Sequence, residues 1–168
     1  MELKSYQQQA LQDLKQYLAY INLYKDYSKA FTQVWADKHV TLGANKPIKP
    51  YKNVIPHVPH VCFKIPTGGG KTFVACASVK PIFDALTNTS VKALVWLVPS
   101  EAILSQTIKC LKDADHPYRR TTSDAGRSED PAAYLEKSGS GCFLRLSVVP
   151  GFVNAQTIGT FVLSENEK

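Results

Sequence analysis

Apolar residues in the first part of the chain recur every three or four positions. Leu11, Leu14, Leu18 and Ile21, and later Phe31, Val34 and Trp35, follow this spacing with polar residues between them. That is the period of a helix covered on one face. It predicts helix from Ser5, which supplies an N-cap hydroxyl, to about Lys38, with a weaker stretch at 24–28 dividing it in two. From Val40 to Pro59 the period is lost. Gly43, Pro47, Pro50, Pro56 and Pro59 predict an extended connector there.

A strand-sized apolar run at 60–65 follows, then a helical pattern from about Gly70 to Leu86 in which Pro81 would kink the helix or end its first half. A polar turn at 87–90 leads into Val91 to Val98, a nearly continuous β-prone run of the kind buried on both faces. Pro99 stops it and Ser100 caps a helix whose apolar stripe is Ile103, Leu104, Ile108 and Leu111. The order β-α-β-α predicts an α/β fold, a parallel sheet with covering helices. Beyond Asp113 the pattern weakens. The stretch 116–128 is polar, Asp130-Pro131 predicts a short helix through Glu136, 138–141 a turn, and 142–149 and 157–163 two strands. No internal repeat or low-complexity tract stands out.

The junction between the first expected strand and its helix carries the candidate chemistry. It reads Ile65-Pro66-Thr67-Gly68-Gly69-Gly70-Lys71-Thr72. Glycines let a backbone approach a polyphosphate and turn N–H groups inward, and a helix N-terminus adds partial positive charge. The Lys71 ammonium is placed to reach β- and γ-phosphates, and the Thr72 hydroxyl to hold Mg²⁺. The general pattern has glycine five residues before Gly70, where this chain has Ile65. The motif in this setting predicts a site for a nucleoside triphosphate.

Composition narrows the picture less. With 168 residues the chain holds one ordinary domain, and 44% hydrophobic with 20% charged residues is usual for a globular one. A net charge of +6 favours anionic partners without naming one. Cys62, Cys76, Cys110 and Cys142 are scattered, with no Cys-x-x-Cys pair, and read as reduced, structural thiols of a cytoplasmic protein. No apolar run approaches membrane length, and the N-terminus lacks the apolar core of a signal peptide.

Three segments together resemble the N-terminal part of the first RecA-like motor domain of superfamily 2 helicases and translocases, most of all the Res (helicase-nuclease) subunit of type III restriction enzymes. They are Leu3-Lys4-Ser5-Tyr6-Gln7-Gln8-Gln9-Ala10-Leu11, the stretch from Pro56 to Thr72, and Ala93-Leu94-Val95-Trp96-Leu97-Val98-Pro99-Ser100 with the residues to Gln106. The Pro-Thr-Gly-Gly-Gly-Lys-Thr form is a variant this group favours, which accounts for Ile65. The resemblance covers Met1 to about Leu111. It implies a P-loop NTPase (RecA-like) fold, ATP and Mg²⁺ as ligands, and ATP hydrolysis coupled to movement on double-stranded DNA, with a modification or specificity subunit as a partner.

By residue, the resemblance implies nucleotide contacts from Gln7, Pro66, Thr67, Gly68, Gly69, Gly70, Lys71 and Thr72, with Lys71 and Thr72 serving catalysis. It implies nucleic-acid backbone contacts from Pro99 and Ser100. Gln7, with donor and acceptor on one amide, would read the adenine edge. By itself it reads equally well as a solvated helix residue. Tyr6 is expected to pack, Trp96, Ile103 and Leu104 to be core, and Ser100 to be a simple N-cap, a phosphate contact, or both.

The implied organisation is a helical segment at 1–38, a connector at 39–59, a phosphate-loop core at 60–112 and a weakly specified 113–168. An acidic pair ending a third strand is also implied. Ser128-Glu129-Asp130 follows a polar segment, and Glu165 after 160–163 is the better imitation, with Ser164 in place of an aspartate. The expectation is that the chain stops before the true acidic motif. Alone it should bind nucleotide weakly and hydrolyse it negligibly. The alternative reading is a catalytically inactive nucleotide-binding module.

Overall fold

The computed structural model describes residues 2–55, 58–86, 93–98, 100–123 and 143–148. They form helices α1 (Ser5–Tyr24), α2 (Tyr27–Asp37) and α3 (Lys71–Ala85), strand β1 (Ala93–Val98), helices α4 (Glu101–Lys112) and α5 (Pro117–Ser123), and strand β2 (Phe143–Val148). The chain divides into two compact units, Lys4–Pro59 and His60–Lys168 with Met1–Leu3.

In the first unit the break between α1 and α2 has a local cause. Lys25 ends α1 in the left-handed conformation (φ 54°), its N–H donating to the Ile21 carbonyl, and the Asp26 carboxylate starts α2 by accepting the Lys29 N–H at 2.8 Å. Ser5 is the first helical residue and not the cap. Lys4 holds the extended cap position (φ −70°, ψ 158°), and the Gln7 side chain reaches back to its N–H. The two helices bury Tyr17, Ala30 and Val34 together, with Ile21, Tyr24, Phe31 and the connector residue Tyr51 packed around them. Phe31 meets Tyr17 edge-on at 6.3 Å and Tyr51 at 5.7 Å between ring centroids.

A polar latch closes the same helix pair. Asp37 accepts hydrogen bonds from the Tyr20 hydroxyl, from Gln16 at 2.6 Å and from Gln33 at 2.7 Å. Beside it Lys38 pairs with Asp13 at 2.6 Å.

In the second unit α3 is covered on almost every side. Phe73 through Val79, Ile82 and Phe83 are all buried, as expected of a central helix with no polar face. Pro81 neither ends nor divides it. Helix α5 packs on α3, where the Phe73 and Tyr118 rings stack at 5.9 Å. Strands β1 and β2 pair in parallel from Ala93↔Phe143 to Val98↔Val148, and α4 lies against both. A parallel pair requires a crossover connection, which here contains α4 and α5.

Several expectations need correction. The segment 60–65 forms no strand: Val61 and Cys62 are exposed, and only Ile65 is buried. One exposed face and no ladder partner leave nothing to hold it as a central strand. The described parallel pair is therefore not yet the flanked sheet expected, and its first expected strand is not part of it. Cys62 is an exposed thiol, not a buried one, while Cys76 is buried and Cys110 half-buried. Ile103 is 40% exposed because the covered face of α4 runs through Thr107 and Leu111 instead. Thr107 tolerates burial by donating its hydroxyl to the Ile103 carbonyl at 2.7 Å. The turns, helix and strands expected at 87–90, 130–136, 138–141 and 157–163, together with Cys142, Ser164 and Glu165, lie outside the described residues. No described helix is long and apolar enough to cross a membrane.

Candidate functional site

The stretch 66–72 folds as a turn that opens directly into α3. The Gly69 N–H donates to the Pro66 carbonyl at 3.0 Å, and Gly68 between them has φ +75°, the value a type II turn demands at its third position. Gly70 follows with φ +72° as the N-cap of α3, and its carbonyl accepts the Val74 N–H at 3.1 Å. Both left-handed positions fall on glycine, the one residue that takes them without strain. One glycine amide thus closes the turn rather than facing inward. The donors at the α3 start come from its first turn, which has no preceding carbonyl within the helix to accept them.

Gly69 is fixed by space and not by φ. A Cβ there would stand 2.6 Å from Ile65 Cγ2 and 2.9 Å from the Pro66 carbonyl oxygen. Ile65 is buried, 6% exposed, so its methyl cannot swing away. The residue that departs from the general motif is the floor on which the glycine backbone rests. At Gly68 a Cβ would meet nothing within 4 Å, so the loop is closed beneath and open above.

Lys71 bends back over this turn. Its Nζ donates to the same Pro66 carbonyl at 3.0 Å, so that oxygen accepts from both Gly69 and Lys71 through its two lone pairs. Thr72 is half-buried in the first turn of α3, and Pro66 and Thr67 are exposed. Phe73, next in sequence, anchors the helix start through its stack on Tyr118. Behind it, burial pushes the Cys76 thiol up to about 12, which keeps it protonated and unreactive. Among the described residues no cluster of His, Cys, Asp and Glu could hold a metal ion.

The other expected site residues belong to other elements of the chain. Ser100 caps α4, its Oγ accepting the Ile103 N–H at 3.5 Å, as the cap reading expects; Pro99 lies outside the described residues. Gln7, in the other unit, is not a solvated helix residue. It is 4% exposed and its Oε1 accepts the Lys4 N–H at 2.8 Å. Tyr6, expected to pack, is 43% exposed.

Helix α5 escaped the sequence reading although it braces this site. Its start was legible in His116-Pro117, since proline suits a first helical position. The His116 Nδ1 accepts the Tyr118 N–H at 3.2 Å, and Arg120 pairs with Asp115 at 2.8 Å.

No curated protein and no solved structure matches the chain. The family described as "Type III restriction enzyme, res subunit" matches residues 1–143. That family is one of ATP-dependent, helicase-like enzymes, and its membership implies a P-loop NTPase fold. By that match, over most of its length, the chain belongs to the type III restriction enzyme res subunit family.

Proposed function

We propose that this chain is the ATP-binding portion of a DNA helicase or translocase of the type III restriction kind, and that the loop 66–72 holds the triphosphate. One observation carries this reading. A turn with two left-handed glycines and a third wedged on Ile65 opens into a buried helix, with the only lysine of the motif folded over it. The described geometry fits a polyphosphate. Space above Gly68 is open, and the first-turn amides of α3 supply oriented donors together with the positive end of that helix.

Lys71 has three donors and the Pro66 carbonyl takes one of them, so its ammonium can hold phosphate oxygens without leaving the loop. Thr72 contributes the hydroxyl for Mg²⁺, which would offset charge on the phosphates. Gln7 reads the adenine edge, with Lys4 fixing the orientation of its amide. Pro99 and Ser100 meet the DNA backbone, and Ser100 does so with its cap intact.

The test is equilibrium binding of Mg-ATP to the wild type and to Lys71→Ala, each with and without duplex DNA. Saturable binding that weakens at least ~10-fold in the variant supports the proposal, because losing a charge-assisted phosphate contact is worth about 1.5–3 kcal/mol. Equal binding by both proteins contradicts it.

A further inference from the structure

Charge is distributed very unevenly along this sequence. Between Lys38 and Phe83 there are seven lysines and not one Asp or Glu. Of the 20 basic residues these are 7, leaving 13 against 14 acids in the rest of the chain, so this stretch carries the whole positive excess. Three of the seven are held: Lys38 by Asp13, Lys80 by Asp84 and Lys71 by Pro66.

Within the stretch, residues 46–54 read Lys-Pro-Ile, Lys-Pro-Tyr, Lys-Asn-Val, a three-residue recurrence too short to show as a repeat of elements. Exposure follows it through the first two triplets: Lys46, Lys49 and Lys52 are all exposed, while Ile48 and Tyr51 are half-buried and Tyr51 packs on Phe31, but Val54, in the third, is exposed. The connector is therefore held at Ile48 and Tyr51 and leaves its three lysines in solvent. The connector is not extended throughout as expected: it turns at 44–48, where the Lys46 N–H donates to the Gly43 carbonyl at 3.1 Å and the Gly43 N–H to the Ile48 carbonyl at 3.2 Å, and Pro47 and Pro50 fix φ, so less conformational freedom remains to be lost on binding. Among the described residues none of the three side chains takes part in an ion pair or hydrogen bond.

We infer that Lys46, Lys49 and Lys52 form an anchored lysine ladder that contacts the phosphate backbone of duplex DNA. Three unpaired ammonium groups spaced along at most ~20 Å of chain match a repeating line of single negative charges. They carry no means of reading bases, so the ladder grips without regard to sequence. The inference rests on the reading of the chain as part of a DNA motor, and adds contact residues other than those of the nucleotide loop.

The test is the salt dependence of duplex binding, followed by fluorescence anisotropy across a KCl series. The wild type is compared with Lys46→Gln/Lys49→Gln/Lys52→Gln and with a control of equal charge, Lys15→Gln/Lys109→Gln/Lys112→Gln. Each lost phosphate contact lowers the slope of log K against log salt by ~0.9, so the ladder variant should lose about 2.7. Its affinity loss between 50 and 200 mM salt should then be about 40-fold smaller than that of the wild type. The control should change the slope by less than one contact. An unchanged slope in the ladder variant, an equal change in the control, or no salt-dependent binding by the wild type overturns the inference. Mg-ATP affinity, measured on the same samples, should be the same in the ladder variant. Its absence from the wild type would count against the nucleotide reading and leave the slope comparison standing.

Discussion

Three adjacent glycines in this loop answer to different demands, and substitution separates them. Gly68→Ala adds a methyl to open space and costs only the left-handed backbone, about 1–2 kcal/mol. Gly69→Ala drives a Cβ into Ile65 and into a backbone oxygen that cannot rotate away, so the loop must shift. We expect Gly69→Ala to weaken Mg-ATP binding at least tenfold and to do more damage than Gly68→Ala; the reverse ranking in a titration of both would contradict the steric account. Adding Ile65→Ala to Gly69→Ala removes the nearer clash, and the pair should couple favourably by about 0.5–3 kcal/mol in a double-mutant cycle of thermal unfolding. A second residue-level expectation concerns thiols. A maleimide should label exposed Cys62 promptly in the native protein and leave Cys76 unlabelled until unfolding, as peptide mapping would show.

At the scale of elements, the α1–α2 pair is closed by rings on one side and by Asp37 on the other. The Tyr20 hydroxyl, and after it Gln33, hold the Asp37 carboxyl below its ordinary value of 3.8. A depressed carboxyl stabilises the folded state above the unfolded value and loses that contribution as pH falls through the folded one. Helix pairing should thus weaken below pH 3.8, and Asp37→Asn should remove that part of the acid dependence in tyrosine near-ultraviolet dichroism. Identical acid profiles for both proteins would show that the latch is idle. Inside the pair, the Tyr17 hydroxyl is buried outside hydrogen-bonding geometry, and burial, with Tyr51 beside it, raises its pKa. Tyr17→Phe should therefore leave the thermal midpoint unchanged or raise it slightly, since it deletes an unsatisfied polar atom; a fall equivalent to more than about 2 kcal/mol would refute this.

Helices carried by a strong period were legible from the sequence, and so were the break at Lys25-Asp26 and the cap at Ser100. Strand expectation failed at 60–65 because β-prone composition does not supply a neighbouring strand. Helix α5 was missed because His116-Pro117 marks only a permitted start, and what holds the seven residues is the packing of Tyr118 on Phe73, a contact between distant parts of the sequence. The glycine turn that opens into α3 was legible from its residues. The reason Ile65 stands where glycine is usual was not, because only the fold brings its methyl beneath Gly69.

Across the whole molecule, sequence and family agree on an anion-handling chain. Its positive excess falls between Lys38 and Phe83, a stretch that includes the glycine turn and Lys71. The family match spans residues 1–143 and so takes in both compact units. The account stands or falls on whether that loop recognises a phosphate tail. Calorimetric titration of the folded chain with ATP and then with AMP, both with magnesium, asks this directly. The account predicts saturable one-to-one heat with ATP, none with AMP at the same concentrations, and loss of the ATP signal in Lys71→Ala with its helical dichroism intact. Equal binding of ATP and AMP, or an undiminished ATP signal in that variant, would contradict it.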